Sequence, residues 1–491
     1  MFLKRFFEPK LAQASYMIGC ARAREAIVID PNRDIDPYLR AAEAEGVRIA
    51  HVTETHIHAD FLSGSRELAA RTGAALYLSD EGDAEWKYAF ARDRGVRLIR
   101  NGDRIEVGNV LIEALHTPGH TPEHLTFLVT DRAGATEPIG AATGDFIFAG
   151  DVGRPDLLER AANFKGTMEA AARTLYASLQ RFAADRPDWL QLWPGHGAGS
   201  ACGKGISAIP HTTLGYERRF NWAFQTAGEG DFVKQVLAGQ PEPPKYFAEM
   251  KRLNKTGPLI LNGFRRPPQL DLEALKNRLA DGAPVIDTRP ASAYAVGHVP
   301  GTINIPLDSS FTTWAGWLIP YTRDFYLIAG GTAGLDVDQS VRDLAMIGLD
   351  RVAGFWTGDA IDRWAESGHP LGTIPQIAVG DLRESLRHQA VTVIDVRSQT
   401  EWDAGRIDGA RHIPLGYLAD RLDEIPRAKP VVVQCAAGGR SSIAASVLRA
   451  HGLEQVINLA GGIGEWRQAG LPTTDADAAA GRAATQPALR T

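Results

Sequence analysis

The chain has 491 residues, which at about 150 residues per domain predicts roughly three domains rather than one core. Its 53 basic and 59 acidic side chains leave a net charge of −6, and 44% of its residues are hydrophobic. This is the composition of an ordinary globular protein. It excludes a basic nucleic-acid-coating surface and a disordered acidic chain.

Two further features of the sequence concern its compartment. No apolar run reaches the roughly 18 residues that a membrane-spanning helix needs, and the charged start MFLKRFFEPK is unlike a signal peptide. The three cysteines, Cys20, Cys202 and Cys435, are too few and odd in number for a disulfide framework. We therefore expect a cytoplasmic protein with no membrane or nucleic-acid partner, in which a functional cysteine acts as a thiolate.

The N-terminal part alternates short β-rich runs, such as residues 26–30, 49–53 and 125–130, with turns and helical stretches up to about residue 225. This mixture predicts an α/β domain. Proline and lysine punctuate residues 241–258, which predicts a linker or a connecting helix. We place the first domain, with its linker, at residues 1–255.

An internal repeat follows at a spacing of 108 residues, from VIDTR at Val285 to VIDVR at Val393. GTINIP at 301–306 likewise matches GARHIP at 409–414. This period fits two copies of a small domain with a parallel sheet, at residues 265–371 and 375–475. The Ala/Asp/Thr-rich residues 476–491 are predicted to be a disordered tail.

The strongest functional signal is a set of metal-competent side chains in the first domain. Three of them form an HxHxD motif directly after the run 49–53, and three more lie in glycine-containing turns after apolar runs. Side chains at the ends of strands can converge on one point, which predicts a metal site. The six residues are His56, His58, Asp60, His120, Asp145 and His196.

The spacing of these residues leaves the identity of the metal open. Two histidines and a carboxylate that leave coordination positions free suit ferrous iron and O2. Three histidines in a tetrahedron suit zinc and a nucleophilic hydroxide.

The order HxHxD, PGH, GD and PGH resembles the metallo-β-lactamase superfamily over roughly residues 1–240. The resemblance implies an αββα sandwich with the metal at one edge. In the two-metal hydrolases of that superfamily the first motif is HxHxDH, whereas this chain has Phe61 at the last position. Because a phenyl ring has no lone pair to donate, we expect a single metal.

The segments THIHADF, LHTPGHTPEH, TGDFIFAGDVGRPDL and WPGHGAG are similar to the persulfide dioxygenase branch. That resemblance implies one ferrous ion per chain, held by His56, His120 and Asp145. It also matches Arg154 to an arginine that could pair with a substrate carboxylate, such as that of glutathione. The residues that it implies around the ligands, orienting them and bound water, are His58, Asp60 and His196.

The second repeat contains the segment VVVQCAAGGRSS at residues 431–442, which predicts a strand, a short loop and a helix. Backbone N–H groups and the helix N-terminus would point at the sulfur of Cys435 and stabilise a thiolate or a persulfide anion. Arg440 would add a positive charge that binds an anionic acceptor. The spacing from Cys435 to Arg440 is one residue shorter than in the CxxxxxR loop of phosphatases, which favours a sulfur-sized anion.

Both repeats resemble rhodanese domains, so the expected fold class is a multidomain α/β protein: an αββα metallo-β-lactamase-like sandwich followed by two rhodanese-like domains. The loop of the first repeat that aligns with the Cys435 loop, residues 327–334, has no cysteine. We therefore interpret the first repeat as catalytically silent, a spacer or an interface.

Together these features predict a persulfide dioxygenase fused to a sulfurtransferase in sulfide detoxification. The expected partners are a low-molecular-weight persulfide such as glutathione persulfide, O2, sulfite and thiosulfate. The sequence leaves open whether the protein forms a homo-oligomer. One alternative is a zinc thioesterase, similar to hydroxyacylglutathione hydrolase, with an accessory rhodanese domain. Another is a sulfur carrier or persulfide sensor without oxygenase activity. Cys202 could meet substrate sulfur near the metal or simply pack, and packing is the expected role of Cys20.

Overall fold

A computed structural model describes residues 1–157, 166–330 and 335–474. Its contacts divide the chain into two units, Met1–Phe264 with Arg342–Leu349, and Arg265–Val341 with the chain from Asp350 onward. The segment 476–491, predicted to be a disordered tail, lies outside the described residues. Within the described ranges, no helix combines the length and the apolar character needed to cross a membrane.

The first unit contains two six-stranded sheets. The first sheet keeps its strands in sequence order, with the last four parallel to one another. Its strands are β1 (Phe2–Glu8), β2 (Gln13–Cys20), β3 (Glu25–Ile29), β4 (Arg48–Thr53), β5 (Ala75–Ser79) and β6 (Val96–Ile99). The second sheet has the order β12-β11-β10-β9-β8-β7. Its strands are β7 (Arg104–Val107), β8 (Val110–His116), β9 (Leu125–Asp131), β10 (Gly140–Gly144), β11 (Gln191–Pro194) and β12 (Thr212–Thr213).

The main core of this unit lies between the two sheets, because successive side chains of a strand point to opposite faces and one face of each sheet meets the other sheet. Ile18 and Ile27 of the first sheet belong to one cluster with Ile112 and Phe127 of the second, and all four side chains are buried. Helices cover both outer faces and complete the predicted αββα sandwich. They are α1 (Asp36–Glu45), α2 (Ser65–Thr72), α3 (Met168–Asp185), α4 (Leu214–Phe220), α5 (Trp222–Gln225), α6 (Glu229–Leu237) and α7 (Tyr246–Thr256).

Helix α3 shows how the sequence determines these outer layers. Its buried side chains include Ala172, Leu175, Leu179 and Phe182, which recur every three or four residues. This spacing places them on one face of the helix, and that face packs against the second sheet.

The second unit contains two sheets, and all of their strand pairings are parallel. Their orders are β14-β13-β15-β16 and β17-β21-β20-β18-β19. The strands are β13 (Val285–Asp287), β14 (Ile303–Asn304), β15 (Phe325–Ala329), β16 (Val352–Thr357), β17 (Gln376–Ile377), β18 (Thr392–Asp395), β19 (Arg411–His412), β20 (Val431–Gln434) and β21 (Val456–Leu459). The order of β14, β13, β15 and β16 matches that of β19, β18, β20 and β21, so the sequence repeat is a structural repeat.

Nine helices accompany these two sheets in the described residues. They are α8 (Leu272–Ala280), α9 (Ala291–Val296), α10 (Phe311–Leu318), α11 (Leu335–Ala345), α12 (Ala360–Glu366), α13 (Val379–Arg387), α14 (Gln399–Asp403), α15 (Gly439–Ala450) and α16 (Gly462–Gln468). Part of the core is shared between the repeats. Tyr294 of the first repeat lies in the same buried cluster as Ile394 and Val433 of the second.

Candidate functional sites

The metal-competent residues of the first unit lie where strands end at one edge of the sandwich. Strands β10 and β11 are parallel, and β8 runs in the same direction because both β8 and β10 are antiparallel to β9. His120, Asp145 and His196 follow β8, β10 and β11 respectively, and the HxHxD motif follows β4. The sheet topology therefore brings together residues that are up to 140 positions apart (His56 to His196).

The central group consists of His56, His120 and Asp145. One potential ligand atom from each lies within 4.8 Å of the other two, and all three residues are buried. His120 Nδ1 is 3.0 Å from the carbonyl oxygen of Arg154, and His56 Nδ1 is 2.9 Å from the hydroxyl of Thr55. These contacts fix the orientation of both rings and leave each Nε2 for the centre, as second-shell partners do in metal sites.

The chemistry of this group fits a bound cation. Both carboxylate oxygens of Asp145 are buried and have no hydrogen-bond partner. A buried carboxylate that accepts no hydrogen bond is costly unless a positive charge compensates it. Burial and the neighbouring imidazoles lower the pKa of His56 well below its usual value, so this ring is held in the neutral form that binds metals.

His58, the second histidine of the motif, is not part of this group of three, although its ring lies 4.3 Å from that of His56 and its buried Nδ1 has no hydrogen-bond partner. Its Nε2 lies 3.1 Å from Oδ1 of Asp30, which follows β3. Burial favours the neutral imidazole, but the Asp30 carboxylate outweighs this effect and raises the pKa of His58 to about 9. The ring of Phe61 packs on His58, with their centroids 4.3 Å apart. His58 thus belongs to the surroundings of the centre.

Asp60 and His196 form a second group together with Cys202, again with potential ligand atoms within 4.8 Å of one another. His196 Nε2 lies 3.3 Å from Oδ2 of Asp60 and 3.3 Å from Oδ1 of Asp145. Asp145 therefore contacts both groups. Burial and the carboxylates of Asp60 and Asp145 raise the pKa of the Cys202 thiol well above its usual value.

Arg154 differs from the expected substrate anchor. Its side chain is fully buried, and its guanidinium forms two hydrogen bonds with Asp156, of 2.8 and 2.7 Å. Nη1 donates to the carbonyl of Ala201, and the Arg154 backbone N–H donates to the carbonyl of Cys202. In this arrangement Arg154 holds the loop that carries Cys202.

Three residues that the sequence analysis did not single out support the centre. The Asp145 backbone N–H donates to Nε2 of His124, and the Ile57 N–H donates to the buried carboxyl of Glu123. The side chain of Asn254, in α7, donates to the carbonyls of His58 and Phe61, at 2.8 Å each. The predicted linker therefore includes a helix that holds the HxHxD loop. The PEH sequence at residues 122–124, which begins two residues after His120, was the available signal for Glu123 and His124.

Cys435 lies at the carboxyl end of β20, directly before the loop that leads into α15. Its side chain is buried, and Sγ accepts hydrogen bonds from the Gly438 N–H at 3.1 Å and from the Ser441 hydroxyl at 3.4 Å. Gly438 has φ of 96°, a conformation that favours glycine. One backbone N–H and one hydroxyl therefore donate to the sulfur, where the sequence predicted several backbone N–H groups.

Arg440 is engaged by an acid of its own domain. Its guanidinium forms two hydrogen bonds of 2.7 and 2.6 Å with the carboxylate of Glu401. Partial burial would raise the pKa of Glu401, but the Arg440 guanidinium outweighs it and lowers that pKa to about 2. The positive charge expected for an anionic acceptor is therefore already compensated.

Two further positions bear on the thiol chemistry: the cysteine-free loop of the first repeat and Cys20. In the first repeat, Gly330 follows β15, and residues 331–334 of the cysteine-free loop lie outside the described residues. Cys20 lies in the core between the two sheets, and its Sγ accepts a hydrogen bond from the Asn109 N–H at 3.4 Å. It has the packing role expected from the sequence.

Comparison with known proteins agrees with this architecture. The family model of the metallo-beta-lactamase superfamily matches residues 9–196, and that of the rhodanese-like domain matches residues 271–334 and 378–469. A probable metallo-hydrolase of Burkholderia pseudomallei is 32% identical over 206 residues, which are 37% of this chain and 67% of that protein. A mitochondrial persulfide dioxygenase of Bos taurus is 28% identical over 204 residues, which are 40% of this chain and 68% of that protein.

A solved structure is similar over a longer part of the chain. The crystal structure of a metallo-beta-lactamase from Staphylococcus aureus is 41% identical, with a TM-score of 0.65, and covers 73% of this chain and 99% of its own. Two stacked sheets with a buried His-His-Asp group at their edge are the arrangement of the metal-dependent α/β enzymes. The chain belongs to the metallo-beta-lactamase superfamily, has persulfide dioxygenases among its homologues, and carries two rhodanese-like domains after its first domain.

Proposed function

We propose that the first domain is a ferrous-iron persulfide dioxygenase and that the second rhodanese-like domain is a sulfurtransferase. In the first reaction one persulfide, one O2 and one water give one thiol and one sulfite, with release of two protons. The proposal is carried by the buried group of His56, His120 and Asp145. Two histidines and one carboxylate with open positions form the ligand set of non-haem ferrous oxygenases.

One iron per chain fits this group, because Phe61 has no donor atom at the position where the two-metal hydrolases of the superfamily have a histidine. Bound ferrous iron would supply the one-electron chemistry that couples O2 to a spin-paired persulfide. The residues of the chain hold the ligand rings through Thr55 and the Arg154 carbonyl, and they exclude water by burial.

Cys435 would carry the sulfane sulfur in the second reaction. Sulfite attacks the outer sulfur of persulfidated Cys435, the S–S bond breaks, thiosulfate forms, and the electron pair of the broken bond regenerates the thiolate. The Gly438 N–H and the Ser441 hydroxyl support this role, since both donate to Sγ and stabilise negative charge on sulfur.

The test combines metal analysis with an oxygen electrode. We expect protein purified without added metal to contain about one iron per chain and to consume O2 with glutathione persulfide while sulfite appears. Protein that contains only zinc and turns over equally well without air would contradict the proposal. Iron-loaded protein that consumes no O2 with any persulfide would instead favour a sulfur carrier or sensor.

One observation favours a second candidate, a zinc thioesterase. Asp60, His196 and Cys202 form another possible ligand group, and His196 also lies close to Asp145. Two adjacent metal sites are the arrangement of many hydrolases. Cleavage of a glutathione thioester by zinc-loaded protein without O2, with no persulfide oxidation by the iron form, would support this candidate.

A further inference from the structure

A cavity of about 860 Å³ lies over Cys435 in the second unit. Pockets for small organic ligands have volumes of about 300–1,000 Å³ and are mostly apolar. The side chains around this cavity fit that description, since Leu307, Trp314 and Ile443 line it together with Pro290 and Pro306. An inorganic sulfur anion would occupy only a small part of it.

The cysteine-free repeat supplies most of this apolar wall. Pro290, Pro306, Leu307 and Trp314 belong to the first repeat, whereas Cys435 belongs to the second. The two repeats are also joined by a shared core and by a hydrogen bond. Trp314 packs against the shared core, and the backbone N–H of Asn304 donates to the hydroxyl of Ser446 at 2.9 Å. The wall is therefore held in place relative to the thiol.

Away from the donors at Sγ of Cys435, the charged side chains that line the cavity are mostly acidic. Among the described residues that line it, the charged side chains are Asp308, Asp336 and Arg440. Arg440 is already paired with Glu401, so the lining residues that the structure describes include no uncompensated cation. The two carboxylates would instead attract a ligand with an ammonium group.

We propose that the cysteine-free repeat selects the sulfur donor of Cys435, and that this donor is the persulfide of an aminothiol rather than thiosulfate. The carbon chain next to sulfur packs on Trp314 and Leu307, and the ammonium group lies toward Asp308. This inference rests on the sulfurtransferase part of the proposed function. The first repeat is then a specificity element of the active site, although it has no thiol.

The loading step is balanced without any oxidant. The Cys435 thiolate attacks the outer sulfur of the persulfide RSSH, and a new S–S bond forms on Cys435. The original S–S bond breaks, its electron pair leaves with the thiolate RS⁻, and the proton stays on the transferred sulfur. Sulfite needs only the outer sulfur of the loaded enzyme, so the wall acts on loading rather than on release.

The test measures persulfidation of Cys435 by mass spectrometry of the full iron-containing chain, without O2. The donors are cysteine persulfide, N-acetylcysteine persulfide, which lacks the ammonium group, and thiosulfate. We expect kcat/KM for cysteine persulfide to exceed that for thiosulfate by about tenfold. Trp314→Ala should lower the cysteine persulfide value about tenfold and change the thiosulfate value by less than about twofold.

Trp364→Ala is the matched control, because Trp364 lies in the same repeat but outside the cavity lining. Asp308→Asn should remove the preference for cysteine persulfide over its N-acetyl form. If Trp314→Ala lowers the melting temperature more than the control variant does, the test uses Trp314→Phe and Leu307→Ala instead. Trp314→Phe should retain most of the persulfidation of Cys435, whereas Leu307→Ala should lose persulfidation selectively with cysteine persulfide as donor.

Two results would overturn the inference: a wild-type preference for thiosulfate, or an equal loss with all donors in Trp314→Ala and Leu307→Ala. Equal use of cysteine persulfide and its N-acetyl form would refute the aminothiol assignment. Loading without O2 does not involve the metal centre, so a failed oxygenase proposal leaves this test intact. If Cys435 accepts sulfur from no donor, the sulfurtransferase proposal itself has failed.

Discussion

The imidazole of His58 contacts the carboxylate of Asp30, with Nε2 and Oδ1 3.1 Å apart and both side chains buried. The same carboxylate accepts hydrogen bonds from the backbone N–H and the hydroxyl of Thr55, at 2.6 and 2.9 Å. Thr55 in turn contacts Nδ1 of His56. Asp30 therefore helps to orient both histidines of the HxHxD motif, of which His56 belongs to the group with His120 and Asp145.

Replacing Asp30 should weaken metal binding although this residue is not a ligand. In Asp30→Ala the Thr55 backbone and His58 lose their acceptor, so the HxHxD loop is no longer held in place. Second-shell changes of this kind cost about 10- to 100-fold in metal affinity. The measurement is iron per chain after dialysis against a graded series of chelator concentrations. Asp36→Ala, an exposed acid at the start of α1, is the control and should retain wild-type iron.

Replacing a proposed ligand should separate the two sites. His120→Ala should lose iron and sulfite production, because one of the three ligands is missing. Cys435 should still accept sulfur, since it lies in another domain. Elemental analysis and persulfide mass spectrometry on the same sample measure both effects. An unchanged iron content would show that His120 is not a ligand.

The reciprocal change is Cys435→Ser. A hydroxyl at this position cannot carry sulfane sulfur, so thiosulfate formation should fall to background. O2 uptake with glutathione persulfide should continue, with sulfite accumulating in place of thiosulfate. Ion chromatography of the products, run in parallel with the oxygen electrode, measures this shift. Thiosulfate at the wild-type level would mean that sulfite takes its sulfur elsewhere.

Arg154→Ala should act mainly on stability. The substitution removes the guanidinium that pairs with the buried carboxylate of Asp156 and releases the carbonyl of Ala201. Breaking a buried ion pair costs about 3–5 kcal/mol. The free energy of unfolding, measured by urea titration, should fall by about this amount. A substrate anchor would instead raise KM for glutathione persulfide while the unfolding free energy stayed near the wild-type value.

The Glu401–Arg440 pair predicts a pH-dependent contribution to stability. Arg440 holds the pKa of Glu401 at about 2, below its ordinary value of 4.5. The ionised Glu401 carboxylate therefore stabilises the folded state at pH values above its ordinary pKa, and this stabilisation is lost as the pH falls toward 2. Glu401→Gln should melt at a lower temperature than wild type at pH 6, and the difference should shrink steadily toward pH 3. A constant difference over this range would contradict the role of the charge.

Much of this architecture could be predicted from local sequence patterns. The HxHxD motif follows a strand, and the Cys435 loop joins a strand to a helix. The spacing from Val285 to Val393 predicted a repeated domain, and two matching parallel sheets confirm it. These features are accessible because strand alternation, turn residues and helix starts depend on neighbours within a few residues.

The partners of the site residues depended on tertiary structure. Cys202 is 142 positions from Asp60, and Glu401 is 39 from Arg440, so no local pattern indicates that they meet. Arg154 shows the same limit, since its motif position suggested a substrate contact whereas packing placed it against Asp156.

The sequence by itself determined which chemical groups the chain possesses and at which strand ends they lie. Tertiary structure decided which of them face one another, that Nε2 of His58 contacts Asp30, and that Trp314 of the cysteine-free repeat lines the same cavity as Cys435. The physical reason is that side-chain direction and charge pairing are settled by packing between distant segments, where burial makes each unpaired polar group costly.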